Sequence, residues 1–206
     1  MVRESIPTND SLIPPKPIPA EAQAFDGIVD QIAAWLYSLA STLVGEGEES
    51  VRLVESAIAN AEVSVCHDPA QARKSSRRAL CEAALKMLGV RNPGSLAAPE
   101  GVKPAGTCIE DDDLEAVGIA GKDLERMIAG PDRDRVRKWL ASLPTALRTI
   151  FVLRAVAGFS AEETAGLLQS HGGPQTAVWN ADAVRAIFRE GLCSLASQLL
   201  QASAER

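Results

Sequence analysis

Aromatic residues are scarce in this chain of 206 residues, where they make up only 4% of the sequence. No Phe, Trp or Tyr occurs between Ser38 and Lys138. Stacking on aromatic side chains contributes about 1–3 kcal/mol per base when proteins hold single-stranded nucleic acid. The middle of the chain is therefore poorly suited to capturing unpaired bases.

Histidine and cysteine are also few, and they lack the spacing of a chemical site. The chain has two histidines and four cysteines, with no Cys-x-x-Cys pair, which argues against a zinc site and against a disulfide framework. No nucleophile is paired with a general base, so we expect no enzyme activity, no metal and no cofactor. Reduced thiols are predicted at Cys66, Cys81, Cys108 and Cys193.

Positive charge is in short supply as well. The chain has 21 Lys and Arg against 27 Asp and Glu, a net charge of -6. Nucleic-acid binders usually carry a basic patch, so only weak non-specific DNA binding is expected. No apolar run reaches the length of a membrane span, and the N-terminus lacks a signal-peptide pattern. These absences predict a cytoplasmic protein without membrane contact.

What the chain does contain is abundant Ala and Leu at helical spacing, which predicts an all-α fold. Residues 1–22 are rich in Pro and are predicted to be a disordered lead-in, followed by a helical domain at residues 23–90. Residues 91–110 are rich in Pro and Gly and are predicted to form a linker. A second helical domain is predicted at residues 111–206.

The helical periods also predict individual elements. In the first domain, helices are expected from about residue 25, from 48 to 65, and from the Asp68-Pro69 start to 89. The first of these is predicted to carry one apolar face, at Phe25, Ile28, Val29, Ile32, Leu36, Leu39, Ala40 and Leu43. In the second domain, they are expected near 112–129, 132–142, 144–157, 160–169 and 181–203. Helical spacing assigns most of the C-terminal core to Leu143, Leu147, Ile150, Phe151, Leu153, Ala165, Leu168, Val184 and Phe188.

The most specific pattern lies in the C-terminal half. Ser160 followed three residues later by Glu163 forms the signature of a capping box at a helix start. A helix, a break containing Gly158 and a further helix is typical of a helix-turn-helix DNA-binding unit. The pattern consists of Leu143, Pro144, Arg148, Phe151, Leu153, Arg154, Gly158, Phe159, Ser160, Glu163 and Ala165.

This run closely resembles the C-terminal promoter-binding domain of the extracytoplasmic-function sigma factors of bacterial RNA polymerase. The N-terminal half more distantly resembles the other domain of that family, at Phe25-Asp26, Leu39-Ala40 and Leu53-Val54. The resemblance implies that RNA polymerase core and promoter DNA are partners, with an anti-sigma factor as a further candidate. It also implies polymerase contacts by Leu53, Val54 and Glu55.

Candidate DNA contacts follow from the same resemblance. Arg185 and Arg189 lie on the predicted recognition helix, and Arg148 precedes it. Their competing interpretations are ordinary solvated helix charges and, for Arg148, an internal ion pair. A second basic cluster is either a nucleic-acid patch or an exposed helix face, and consists of Arg73, Lys74, Arg77 and Arg78.

The C-terminal half also departs from the family. Eleven residues separate Leu168 from Asn180, where a helix-turn-helix has a turn of about three or four residues. The segment from Pro144 to Arg206 has equal numbers of basic and acidic residues and is therefore neutral. A protein that neutralises few phosphates binds DNA weakly at physiological salt.

Three interpretations follow. The leading one is a sigma-factor-like transcription initiation protein that binds RNA polymerase core and promoter DNA. The alternative is a degenerate sigma-like module that acts by protein–protein interaction, for example with an anti-sigma factor, without recognising DNA. In the third, the helices pack as one body and the resemblance marks ancestry only. A positive stripe along the recognition helix favours the first, and a neutral or apolar surface favours the second.

Overall fold

The computed structural model describes residues 20–61, 68–98 and 133–204, and every regular element in these ranges is helical. The predicted all-α class is therefore confirmed for this part of the chain. The predicted lead-in up to residue 19, the linker beyond residue 98 and the helix near 112–129 lie outside the described residues, whereas residues 20–22 of the predicted lead-in belong to the first helix. The α-helices are α1 (Ala20–Val44), α2 (Glu48–Ala59), α3 (Pro69–Arg91), α4 (Arg133–Ser142), α5 (Thr145–Phe151), α6 (Ala161–His171) and α7 (Ala181–Ala204).

Two helix ends show how local chemistry sets the boundaries. Asp68 caps α3, because its carboxylate accepts hydrogen bonds from the backbone N–H groups of Ala70 and Gln71 at 3.0 and 3.1 Å. The prediction that the second helix runs to residue 65 is wrong, since α2 ends at Ala59. Asn60 closes it by donating its side-chain amide to the Ser56 carbonyl at 2.7 Å, which competes with helix continuation.

The helix predicted at 144–157 changes character part-way along. After α5 the chain forms a π-turn, Val152–Val156, in which the Ala157 N–H donates to the Val152 carbonyl at 2.9 Å. Gly158 then adopts a left-handed φ of +69°, a conformation that glycine tolerates without steric cost. This break allows α6 to leave in a new direction.

The N-terminal helices α1, α2 and α3 pack against one another. Helix α1 contributes a buried stripe at the positions predicted from its period, including Ile32, Leu36 and Leu39. Leu53 on α2 and Leu80 on α3 are buried in the same core. Burying such side chains stabilises the fold by roughly 1.5–3 kcal/mol each.

The C-terminal helices pack around Phe151. Its ring is fully buried and meets Trp139 edge-on, with ring centroids 5.0 Å apart, and Phe188 at 5.5 Å. Trp139 also donates its indole N–H to the Ser194 hydroxyl on α7 at 3.0 Å. Among the nine predicted core residues, Leu143 and Phe188 are partly buried and the other seven are buried.

The two groups of helices share one continuous hydrophobic core. Helix α3 lies against α6 so closely that a Cβ added at Gly89 would stand 2.5 Å from the Gly172 carbonyl oxygen. Leu96, within the predicted linker, is buried, and its carbonyl accepts a hydrogen bond from the Trp179 indole at 2.8 Å. The first eight residues of that linker therefore approach the C-terminal helices.

Of the four predicted reduced thiols, one is confirmed and one is wrong, while Cys66 and Cys108 lie outside the described residues. Cys193 is disulfide-bonded, whereas Cys81 is a free thiol in the core. Burial raises the pKa of the Cys81 thiol to about 12, so this group is an unreactive core residue. The prediction was wrong for Cys193 because spacing in sequence carries no information on which sulfur atoms meet in space. Across the described helices, none combines the length and apolar character needed to cross a bilayer.

Candidate functional site

Helix α6 begins with the capping box expected from the sequence. The Glu163 N–H donates to the Ser160 hydroxyl at 3.1 Å, and the Ser160 N–H donates to the Glu163 carboxylate at 2.8 Å. Two backbone donors at the helix start are thereby satisfied. Before the capping box, Arg154 donates a hydrogen bond to the Phe159 carbonyl at 2.6 Å and lies over the Phe188 ring. Its guanidinium group therefore makes contacts within the C-terminal half.

The long turn between α6 and α7 is tied down at several points. Thr176 donates its hydroxyl to the Leu168 carbonyl at 2.6 Å, which closes the turn onto the end of α6. The Gln169 amide donates to the Trp179 carbonyl at 2.5 Å, and the Trp179 side chain is buried. Asn180 then caps α7 by accepting from the Ala183 N–H at 2.8 Å. The nine residues between α6 and α7 therefore have a defined structure.

Arg185 lies one turn into α7, and acidic residues surround its guanidinium group. It forms an ion pair with Asp182 at 2.7 Å and a second with Glu162 on α6. The Glu162 carboxyl accepts hydrogen bonds from its own backbone N–H and from Ser160, which together with Arg185 hold its pKa below the ordinary value. Glu162 is therefore charged at neutral pH and balances Arg185.

The remaining predicted DNA contacts of the C-terminal half are Arg189 and Arg148. Arg189 lies one turn further along α7 and is partly buried. Arg148 is also partly buried, and burial lowers its pKa. Arg148 lines a cavity whose wall also includes Ser41 and Gly45, at the end of α1.

The basic cluster on α3 is divided between surface and interior. Arg73 and Lys74 are exposed, and Arg78 pairs with Glu82 at 3.0 Å one turn along the helix. Arg77 is partly buried, with its guanidinium 4.9 Å from the centre of the Phe159 ring. One member of the predicted nucleic-acid patch thus contacts the break before α6.

The predicted polymerase contacts on α2 are likewise divided between the interior and the surface. Leu53 and Val54 are buried against α1 and α3, with exposures of 3% and 8%, so they support the fold from within. Glu55 is exposed. It shares its face of α2 with Val51 and Ile58, both 44% exposed. These three residues form the outer face of α2, and the two apolar members were not predicted as contacts.

No family model, no curated protein and no solved structure matches this chain. The function is therefore inferred from side chains and their surroundings. Within the three described ranges, no cluster of His, Cys, Asp and Glu has the geometry to hold a metal ion. Two surfaces of the described residues carry the candidate partner contacts: the start of α7, where Arg185 meets its acids, and the outer face of α2.

Sequence reasoning did not identify the acids that face Arg185. Asp182 could have been predicted as a neighbour of Arg185, because a carboxylate three residues before an arginine shares its helix face. Glu162 had none, since it lies 23 positions away and reaches Arg185 only through the packing of α6 against α7. The charge of this surface is therefore a property of the tertiary structure.

Proposed function

We propose that this chain is a sigma-factor-like transcription initiation protein, with RNA polymerase core as its main partner and promoter DNA as the second. The observation that carries the proposal is the α5, break, α6, turn and α7 arrangement, with its capping box at Ser160. In this proposal, α6 and α7 form a helix-turn-helix unit, α1 to α3 form the polymerase-binding domain, and the protein acts in the cytoplasm without a cofactor or catalytic activity.

The ion pairs of Arg185 are compatible with a phosphate contact. Exposed ion pairs are weak, so a DNA phosphate can replace them at little cost. The displaced carboxylates of Glu162 and Asp182 stay nearby, however, and repel the same phosphate. We therefore expect DNA affinity to be low for the protein alone and to depend on docking to the polymerase.

A second candidate function is supported by that same charge balance. A neutral surface at the start of α7 suits a protein partner such as an anti-sigma factor better than a DNA backbone. In this candidate the helices would keep the polymerase contact of α2, and α7 would make no DNA contact.

The first prediction concerns the outer face of α2. We expect Val51→Arg combined with Ile58→Arg to reduce capture of RNA polymerase core more than tenfold, since truncating an interface hot spot costs at least about 2 kcal/mol. Both side chains are 44% exposed, so the fold should tolerate the change. The measurement is stoichiometric retention of core polymerase by the immobilised protein.

The control for α2 is Val90→Arg, which introduces one arginine on α3 at a side chain that is 81% exposed. The control should retain polymerase like the original protein, and circular dichroism should show equal helicity for all three proteins. Equal retention by the α2 variant would remove this face from the proposal, and no retention by the original protein would remove the sigma-type function itself.

The second prediction concerns Arg185 and its acids. We expect Glu162→Gln combined with Asp182→Asn to raise affinity for duplex DNA about tenfold, because both carboxylates lie beside Arg185 and repel a phosphate that approaches it. Adding Arg185→Ala should abolish the gain and lower the salt slope by about one unit. Fluorescence anisotropy with a labelled random-sequence duplex across a salt series measures both effects.

Glu48→Gln is the control for this experiment, because it frees Arg52 on α2 from a similar exposed ion pair. It should leave DNA affinity unchanged. If the Glu162 and Asp182 variant binds DNA no better than the original protein while polymerase capture persists, the protein-binding function becomes the better proposal.

A further inference from the structure

A cavity of about 420 Å³ lies between the end of α1 and the helices α4 and α5. Its volume falls within the range of small-molecule sites, roughly 300–1,000 Å³. It lies where the N-terminal and C-terminal helices meet, away from the outer face of α2 and from Arg185. The lining residues are Ser41, Thr42, Gly45, Glu46, Asp134, Arg137, Lys138, Leu140, Ala141 and Arg148.

Arg148 is the unusual member of this lining. It is partly buried, its Nε atom is inaccessible to water, and no hydrogen bond or ion pair joins its guanidinium to any residue that the structure describes. Burial also lowers its pKa, which reflects the cost of keeping a cation out of water. A partly desolvated cation with no ion-pair partner among the described residues favours an anion that can reach it.

The other charges around the cavity leave a positive balance. Glu46 is neutralised by an ion pair with Arg137. Asp134 has an interaction partner of its own, and Lys138 is exposed. Arg148 and Lys138 therefore supply the two cationic groups that an anion would meet on entering.

The wall chemistry indicates the rest of the ligand. Leu140 and Ala141 present an apolar surface, and Leu140 is almost completely buried. The hydroxyl protons of Ser41 and Thr42 are already donated to backbone carbonyls of α1, at 2.9 and 2.7 Å. Hydrogen-bond donors for a ligand therefore come from the arginine and lysine, while the walls favour an apolar body.

We propose that this cavity binds a small organic anion, with a carboxylate or phosphate group on Arg148 and Lys138 and a compact apolar body against Leu140 and Ala141. A guanidinium group binds such oxyanions through two parallel hydrogen bonds. Because the lining comes from both groups of helices, the bound anion joins α1 to α4 and α5. The proposal is independent of the transcription function proposed above.

The test is isothermal titration calorimetry of the full chain with phenyl phosphate and with benzoate at physiological salt. We expect one site with a dissociation constant below about 1 mM, which corresponds to a binding free energy of about -4 kcal/mol. Benzyl alcohol, which has the ring without the charge, should bind at least tenfold more weakly. Inorganic phosphate, which has the charge without the ring, should also bind more weakly.

Arg148→Met removes the charge and keeps the length of the side chain, so we expect at least a tenfold loss of affinity for phenyl phosphate. Arg148→Lys, which keeps a charge and is the safer variant for folding, should retain part of it. Arg52→Met on α2 is the matched control and should bind like the original protein. Hydrogen exchange should slow at residues 41–46 and 145–151 when phenyl phosphate is bound.

Four results would overturn the proposal. The first is no binding of either organic anion by the original protein, and the second is equal binding by Arg148→Met or Arg148→Lys. The third is displacement of phenyl phosphate by duplex DNA, which would assign Arg148 to the DNA backbone. Inorganic phosphate binding as tightly as phenyl phosphate would reduce the site to an unspecific anion contact and would likewise exclude the organic ligand.

Discussion

Replacing Phe151 with Ala should lower the free energy of unfolding by about 3–5 kcal/mol, as expected when a fully buried aromatic side chain is truncated in a core that relaxes only partly. The ring is completely buried and contacts Trp139 and Phe188, so its loss leaves a cavity where α4, α5 and α7 meet. Urea unfolding followed by circular dichroism measures the change. Val178→Ala, at a side chain 68% exposed, is the control and should change stability by less than about 0.5 kcal/mol.

A second substitution checks that the effect arises from this contact. A Cβ added at Gly191 on α7 would lie 2.8 Å from the Phe151 ring. Gly191→Ala should therefore destabilise the original protein by about 1–3 kcal/mol through overpacking. In the Phe151→Ala background it should stabilise, because alanine is the better helix former by about 0.5–1 kcal/mol. If the effects of the two substitutions were additive, Gly191 and the Phe151 ring would not be in contact.

Local sequence patterns predicted much of the helical structure. The apolar stripe of α1, the Asp68-Pro69 start of α3 and the capping box of Ser160 and Glu163 depend on residues a few positions apart. Such neighbours meet whenever the helix forms, so they can be identified without knowing the fold. The π-turn after Phe151 was not predicted, because its residues have the same apolar spacing as an ordinary helix.

The candidate sites depend instead on contacts between distant residues. Trp179 reaches the Leu96 carbonyl across 83 positions, and Arg137 reaches Glu46 across 91. Arg148 was predicted as a DNA contact because its place in the motif is known, whereas its surroundings depend on where α1 ends. A side chain's type is therefore visible in the sequence, but its charge environment appears only after the helices are packed.

The contact between α3 and α6 leads to the second prediction of large effect. Gly89→Ala should lower the free energy of unfolding by about 1–3 kcal/mol, because the new Cβ would lie 2.5 Å from the Gly172 carbonyl oxygen. Because the atom in contact belongs to the backbone, the clash can be removed only if α3 and α6 move apart. If the two groups of helices were independent domains, the same substitution would instead stabilise α3 by up to about 1 kcal/mol. The sign of the change, measured by urea unfolding, thus reports on the packing between the two groups.

Gly166→Ala provides the matched control, since Gly166 also lies within a helix and no atom outside it stands within 4 Å of an added Cβ. It should raise the free energy of unfolding by about 0.5–1 kcal/mol, the ordinary gain from replacing a helical glycine. A stabilising Gly89→Ala of similar size would contradict the packing of α3 on α6 and would favour the two separate domains predicted from the sequence. We expect the two substitutions to change the free energy of unfolding in opposite directions, because Gly89 lies against another backbone segment and Gly166 does not.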